Sequence, residues 1–167
     1  PKEQRFNMPK AGPDRRFIAM IAYLGGRFEK KKKKWYGSNT ENPATKKLPR
    51  SILMVMLNNP TTSEPLALMS GNLISAMRTG AVPGVAARHL AKKDASVAGI
   101  LGAGVISKAS MLAINAGRPE INKAWIYDIV KEKSVEFARE MQEHGISVRI
   151  AESTEESVRN SDVIAVA

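Results

Sequence analysis

A glycine-rich hexapeptide has the most informative residue spacing in this sequence. It reads Gly102-Ala103-Gly104-Val105-Ile106-Ser107, the pattern G-x-G-x-x-G with serine in the last place. The first glycine permits a tight turn, the second lets backbone N–H groups approach an anion, and the small sixth residue lets a helix pack closely on a strand. These properties suit the pyrophosphate of a dinucleotide, and they make cofactor-binding candidates of Gly102, Ala103, Gly104, Val105 and Ile106.

An acidic residue follows the hexapeptide at the distance that such a site needs. Asp128 lies 24 residues after Gly104, at the end of an apolar stretch. A carboxylate there can accept both ribose hydroxyls of an adenosine and would repel a 2′-phosphate. We therefore predict NAD as the cofactor, with NADP as the alternative because Lys131 is close in sequence. A glycine turn that binds no ligand is the competing interpretation.

The segments around the hexapeptide alternate between strand-like and helix-like patterns. Short apolar runs predict strands at 96–101, 123–128, 146–151 and 162–167, and the intervening segments predict helices at 106–117, 131–145 and 153–161. This order is typical of parallel strands joined by right-handed crossovers. We expect a Rossmann-type domain over 93–167, incomplete because its last strand ends without a loop.

Residues 1–92 have a different pattern. Apolar runs predict strands at 16–26, 51–59 and 65–70, the last two forming a hairpin. Small and apolar residues recur at helical spacing from 70 to 91, but Pro83 interrupts them. Because proline lacks an N–H and clashes with the preceding turn, we expect two helical pieces there.

The composition disfavours several kinds of site. The 167 residues include no cysteine and only two histidines, His89 and His144, which are far apart, so we expect neither a disulfide nor a metal site. No apolar run approaches the roughly 20 residues of a membrane helix, and we expect a soluble, cytoplasmic protein. The formal net charge of +10 suits an anionic partner, which could be a nucleic acid, an acidic lipid or a phosphate-bearing cofactor.

The segment MSGNLISAMRTGAVPGVAARHLA at 69–91, followed by the hexapeptide, resembles the ornithine cyclodeaminase/mu-crystallin family. The resemblance extends over roughly residues 5–167 and includes KWYGSNTEN at 34–42. It implies an α/β chain with a Rossmann-type NAD(P)-binding domain at 93–167 and an antiparallel-sheet α+β domain at 1–92, both incomplete. In the family, the second of these domains forms a homodimer and supplies much of the substrate site.

The resemblance also implies roles for four residues. Lys34 stands where the family has a catalytic lysine, and Arg78 matches an arginine that binds the substrate carboxylate. Thr79 matches a threonine at a cofactor phosphate, and Arg5 is the best candidate for a second carboxylate-binding arginine. The implied enzyme is an ornithine cyclodeaminase-like lyase, an amino-acid dehydrogenase or an imine reductase. It would move hydride between NAD and the α carbon of a small amino or imino acid.

Five consecutive lysines, Lys30–Lys34, end at the matched position. A regular interior strand would point at least one of Lys31, Lys32 and Lys33 inward. Because an unpaired buried ammonium costs several kcal/mol, we expect this strand to be distorted, at an edge or disordered. The lysines and the adjacent Trp35-Tyr36 pair also raise the hypothesis of a basic nucleic-acid-binding protein. The scattered remaining cations and the lack of a nucleic-acid motif disfavour it. A third hypothesis is a non-catalytic NAD(P)-binding accessory subunit.

Overall fold

The computed structural model describes the backbone of residues 2–7 and the whole of residues 15–167. The chain divides into two compact units, residues 1–75 and residues 76–167. Each contains one sheet, so the mixed α/β class is confirmed. The assignment of domains to 1–92 and 93–167 stays a prediction.

The first unit is built on an antiparallel meander with the strand order β1-β2-β3-β4-β5. Its strands are β1 (Lys2–Asn7), β2 (Arg15–Leu24), β3 (Lys30–Asn39), β4 (Ser51–Asn58) and β5 (Pro65–Ser70), with a short helix α1 (Asn42–Lys46) before β4. The predicted hairpin is confirmed, because β4 and β5 pair in antiparallel register. Neither β1 nor α1 is predicted by the sequence patterns, because β1 has no apolar alternation and α1 has only five residues.

The prediction that the lysine run would distort β3 or place it at an edge is wrong. The strand lies inside the sheet and pairs in continuous register with β2 on one side and β4 on the other. Successive side chains of a strand lie on opposite faces, so Lys31 and Lys33 are exposed and only Lys34 is buried. The buried face of the sheet also includes Ile18 and Val55.

The helix that follows the first sheet, α2 (Asn72–Leu90), is continuous, and the prediction of two helical pieces is wrong. Pro83 lies inside it. A proline removes one backbone hydrogen bond from a helix. The face of α2 that contains Gly80, Gly84 and Ala87 is buried. This packing offsets the lost hydrogen bond, and the helix continues through all 19 of its residues.

The second unit contains a parallel sheet with the strand order β8-β7-β6-β9, as the alternation of patterns predicted. Its strands are β6 (Val97–Leu101), β7 (Lys123–Tyr127), β8 (Ser147–Ile150) and β9 (Val163–Val166). The crossover helices are α3 (Val105–Gly117), α4 (Lys131–Glu143) and α5 (Thr154–Arg159). This is the order of the first four strands of the doubly wound dinucleotide-binding fold.

Apolar residues from these strands and helices form one buried core, which includes Ile100, Ile126, Met111 and Phe137. Polar contacts hold the ends of the elements. The Asp162 carboxylate accepts hydrogen bonds from the Ser96 and Val97 amides at 2.8 and 3.0 Å, which ties β9 to β6 and lowers the pKa of Asp162. Ser153 caps α5 by accepting from the Glu156 amide at 3.1 Å, as its spacing predicted.

Helices α2 and α3 approach so closely that glycine is required at their contact. A Cβ added to Gly80 would lie 2.5 Å from the backbone carbon of Ala109, and one added to Gly84 would lie 2.6 Å from the Ala113 oxygen. Those neighbours are backbone atoms, which cannot rotate away. The glycines of the segment RTGAVPG therefore have a packing role in this unit.

We expect Gly84→Ala to lower the free energy of unfolding by about 2 kcal/mol, the scale of an overpacked contact. The better helix propensity of alanine, worth about 1 kcal/mol, is smaller than the cost of separating two backbones. Urea denaturation measures the difference. Gly104→Ala is the matched control, because a Cβ at Gly104 meets nothing within 4 Å. Its stability should fall by less than about 1 kcal/mol, the effect of alanine in place of glycine at an N-cap. An equal loss in both variants would contradict the packing role.

Candidate functional site

The glycine-rich loop joins β6 to α3 at the carboxyl end of the parallel sheet. Gly102 has a φ of +90°, a conformation that side chains other than hydrogen rarely adopt. Its amide donates to the Tyr127 carbonyl at 2.8 Å. The turn is thereby anchored to the neighbouring strand β7.

The loop leaves backbone groups open at the beginning of α3. Gly104 is the N-cap residue, no side chain caps the helix there, and Gly104 and Val105 are both exposed. The N–H groups of a helix's first turn have no partner within the helix, and they carry partial positive charge. The free space beside Gly104 is therefore lined by donors suited to an anion.

Ser107, in the sixth position of the pattern, is 1% exposed. Its buried hydroxyl has no hydrogen-bond partner within the described part of the chain. A small residue is what the position needs, and alanine or glycine would serve there too. The predicted packing requirement accounts for this residue without a role in binding.

Asp128 lies directly after β7, and its side chain is hydrogen-bonded to the glycine-rich loop. Its Oδ2 accepts from the Ala103 amide at 2.7 Å, and its Oδ1 accepts from the Val130 amide at 2.8 Å. A carboxylate offers about four acceptor positions, so each oxygen keeps a lone pair for another donor. Lys131, the residue that could favour NADP, forms an ion pair with Glu152 at 3.2 Å.

Lys34 lies in the first unit, on the buried face of the antiparallel sheet. It is 9% exposed, and its Nζ donates to the Ser75 hydroxyl at 3.0 Å. Its cross-strand neighbours are Met20 on β2 and Val55 on β4. An amine in such surroundings is oriented by its hydrogen bonds and shielded from bulk water.

The row of the sheet next to Lys34 contains Ile18, Tyr36 and Leu53. Arg5 is paired with Ile18, so its backbone belongs to this same row, one row from Lys34. The hydroxyls of Tyr36 and Ser51 are 3.0 Å apart. Burial raises the pKa of Tyr36, but the neighbouring Ser38 and Ser51 hydroxyls and the positive charges of Arg16 and Arg50 outweigh it, and the pKa is lowered.

The remaining predicted residues lie on α2. Arg78 is exposed and Thr79 half-buried, three and four residues after Ser75. Sequence reasoning missed Ser75 and Tyr36. Tyr36 could have been found, because it lies two residues after Lys34 in a strand and so on the same face. Ser75 could not, because its contact with Lys34 spans 41 residues.

Two other kinds of feature are absent from the part of the chain that the structure describes. The described residues contain no group of three or more His, Cys, Asp or Glu side chains able to hold a metal ion. None of their helices combines the length and the apolar character of a membrane span.

Comparisons with known proteins agree on one family. The ornithine cyclodeaminase/mu-crystallin family profile matches residues 1–167. The structure of Thermococcus litoralis Δ1-pyrroline-2-carboxylate reductase in complex with NADH and L-proline is similar, with a TM-score of 0.90 and 38% identity. The alignment covers 99% of this chain and 50% of that one.

Two further relatives extend the range of activities. The Staphylococcus aureus N-((2S)-2-amino-2-carboxyethyl)-L-glutamate dehydrogenase is 33% identical over 89% of this chain and 45% of its own. An archaeal alanine dehydrogenase dimer with bound NAD has a TM-score of 0.84 and 29% identity, covering 100% of this chain and 49% of that one. The chain thus spans about half the length of these relatives. None of the three is named as a nucleic-acid-binding protein.

We expect Asp128→Asn to loosen the glycine-rich loop. The amide keeps one acceptor oxygen but replaces the other with an NH2 group, which cannot pair with a backbone N–H. The free energy of unfolding should fall by about 1–2 kcal/mol, the cost of an unsatisfied hydrogen-bonding group. The Ala103 amide should exchange faster with deuterium.

Glu152→Gln is the control for this prediction, because it removes a nearby exposed carboxylate that bonds only Lys131 through its side chain. It should change the stability by less than about 0.5 kcal/mol. Unchanged exchange of the Ala103 amide in Asp128→Asn would show that Asp128 does not position the loop.

Proposed function

The chain belongs to the ornithine cyclodeaminase/mu-crystallin family, and we propose that its protein is an NAD-dependent enzyme of amino-acid metabolism. Its substrate is a small amino or imino acid, and hydride is transferred at the substrate's α carbon. The observation that carries the proposal is the beginning of α3 at Gly104, which no side chain caps and which faces free space. The loop that leads to it is fixed by the hydrogen bond between Asp128 and the Ala103 amide.

The residues of the loop fit a dinucleotide. Within the segment from Gly102 to Ile106, the amides of Val105 and Ile106 at the beginning of α3 would bind the pyrophosphate, and the free space beside Gly104 leaves room for it. The Gly102 and Ala103 amides would hold the loop in place through Tyr127 and Asp128. The remaining lone pairs of Asp128 would accept the ribose hydroxyls of the adenosine half. Because Lys131 is engaged with Glu152, the local charge favours NAD over NADP. Thr79 is assigned to a cofactor phosphate through the family resemblance alone.

Two arginines would hold the substrate by its α-carboxylate, since a guanidinium binds a carboxylate bidentately. Arg78 lies on α2, shortly after the serine that contacts Lys34, and Arg5 lies one row from Lys34 in the sheet. Arg78 is exposed, and no described acidic residue pairs with it. It is therefore available to an anionic ligand.

Lys34 would handle the proton at the substrate nitrogen. The nicotinamide supplies the hydride acceptor in the oxidative direction and the donor in the reductive one. Oxidation of an amine to an imine also releases one proton from nitrogen, and the neutral amine of Lys34 can take it. Ser75 orients the Nζ of Lys34 through their 3.0 Å hydrogen bond. Cyclodeaminases, dehydrogenases and imine reductases share this step and differ in the fate of the imine.

We expect the protein expressed from its complete gene to bind NAD saturably, with a rise in melting temperature. Oxidation of alanine or proline with NAD, or reduction of a cyclic imine with NADH, should change the absorbance at 340 nm. Cyclodeamination of ornithine or lysine regenerates NAD, so its readout is ammonia release. Lys34→Met should lower turnover by about 10²–10⁴-fold, the range for a lost general base, and should leave NAD affinity within about threefold. Gly104→Ala should weaken NAD binding while lowering the melting temperature less than Gly84→Ala does.

A folded protein that shows no stabilisation by NAD or NADP would overturn the proposed function. Saturable NAD binding with no turnover of any of these substrates would favour the accessory subunit. The products separate the chemistries, because ring closure releases ammonia and a cyclic amino acid with no net NADH, whereas simple oxidation yields a keto acid, ammonia and one NADH.

We further propose that the antiparallel sheet forms a homodimer through its exposed face. That face, opposite Lys34, carries Lys31 and Lys33 towards one end of the strands. It also contains large apolar side chains from four strands: Phe17, Ile21, Trp35, Ile52, Met54 and Leu68. Phe17 and Trp35 pack against each other, with ring centroids 6.0 Å apart. Monomeric proteins rarely leave a contiguous apolar patch of this kind in water. The archaeal alanine dehydrogenase relative is a dimer, which favours a second copy as the occupant.

We expect Met54→Glu to convert the dimer into a monomer, because it places one carboxylate from each copy beside Trp35 and Ser70, where the row holds no cation. Size-exclusion chromatography with light scattering measures the mass. Val135→Glu, on an exposed position of α4 that is 52% accessible, is the control and should remain dimeric. A wild-type monomer, or a dimeric Met54→Glu variant, would contradict this interface.

A further inference from the structure

Alternate lysines of β3 lie on the same face of the sheet as Lys34. Lys30 and Lys32 are half-buried, whereas Lys31 and Lys33 on the opposite face are exposed. Successive residues on one face of a strand are about 7 Å apart. Lys32 therefore lies one row from Lys34, and Lys30 lies two rows away.

The neighbours of Lys32 provide no counter-charge. Its cross-strand partners are Ala22 on β2 and Leu57 on β4, and the same row continues to Ala67 on β5. The sequences of β2, β3, β4 and β5 contain no Asp or Glu. The acid of β1, Glu3, lies in the row of Lys34, opposite Met20.

Lys108 in the second unit shows how this chain treats a partly buried lysine that has a structural role. Its Nζ is 2.6 Å from Glu140 and 3.0 Å from Glu136, and these bonds raise the pKa of Lys108 against the opposing effect of burial. Lys32 has no such ion pair with any described residue. A half-buried ammonium among apolar and small side chains is suited to binding the negatively charged group of a ligand.

The order of the rows in the sheet sets the orientation of a bound substrate. The row of Arg5 lies on one side of Lys34, and the row of Lys32 lies on the other. A substrate with its α-carboxylate towards the first row and its reacting carbon at Lys34 extends its own side chain towards Lys32. The spacing of about 7 Å between rows is within reach of a flexible lysine stem and a short acidic side chain.

We infer that Lys32 is a specificity-determining residue that binds a second, side-chain carboxylate of the substrate. The substrate class is then the dicarboxylic α-amino or α-imino acids, and Lys30 serves longer side chains. The inference rests on the proposed function of the same site. Lysine suits this role because it is a compact charge on a flexible stem.

The first test compares kcat/KM for matched acidic and neutral substrates in the protein expressed from its complete gene, with NAD. Wild type should prefer L-glutamate to L-norvaline, and L-aspartate to L-2-aminobutyrate, by about tenfold or more, as expected for a charge pair. Lys32→Met should lower kcat/KM for the acidic member about 30-fold, chiefly through KM. It should change kcat/KM for the neutral member less than about threefold.

Lys31→Met is the matched control, because it removes an adjacent lysine from the exposed face of the same strand. It should leave the preference for acidic substrates unchanged. A wild type that prefers the neutral substrates, or a Lys32→Met variant that loses both classes equally, would overturn the inference. The proposed function would stand in either case, because turnover would still depend on NAD.

The second test needs no turnover. In NAD-loaded wild type, glutarate should raise the melting temperature more than butyrate at equal concentration and ionic strength, and Lys32→Met should abolish the difference. Equal effects of glutarate and butyrate on wild type would overturn the inference, even if no amino acid is turned over. If turnover and NAD binding are both absent, the proposed function fails and the inference fails with it.

Discussion

The two-residue period of β3 is the constraint on which the first unit depends. Five consecutive cations can stand in an interior strand because alternate side chains leave on opposite faces of the sheet. Two of them are exposed and two are half-buried, so only Lys34 is fully buried. A helix in the same place would have distributed these charges around its axis. The strand instead presents one buried amine, held by Ser75, in line with two further cations.

The second unit meets a different requirement, which is to fix the conformation of the glycine-rich loop. The amides of Gly102 and Ala103 are bonded to Tyr127 and Asp128 on the neighbouring strand, so the turn is fixed by β7. The beginning of α3 is left uncapped and faces free space. Donors fixed before binding need no reordering when an anion arrives, which is the advantage of preorganisation.

The sequence predicted the parallel half of the chain closely, because each of its signals is local. Glycine-rich turns, apolar runs and the Ser153 cap act over a few residues, and their order leaves few topologies. The antiparallel half was predicted less well. The strand β1 gains its conformation from pairing with β2, and a polar segment has no pattern of its own to show that. Pro83 was misjudged because the packing around Gly80 and Gly84 outweighs its local effect.

The sequence by itself determined the glycine-rich loop, the acid that follows the second parallel strand, and the position of Lys34 before an aromatic pair. Those features depend on residue type and short spacing, which a chain displays before it folds. Only the tertiary structure decided which lysine of the run is buried, that Ser75 bonds it, and that Lys32 shares its face without a counter-charge. Burial and pairing depend on neighbours that are distant in sequence, because strand register brings them together only when the sheet forms.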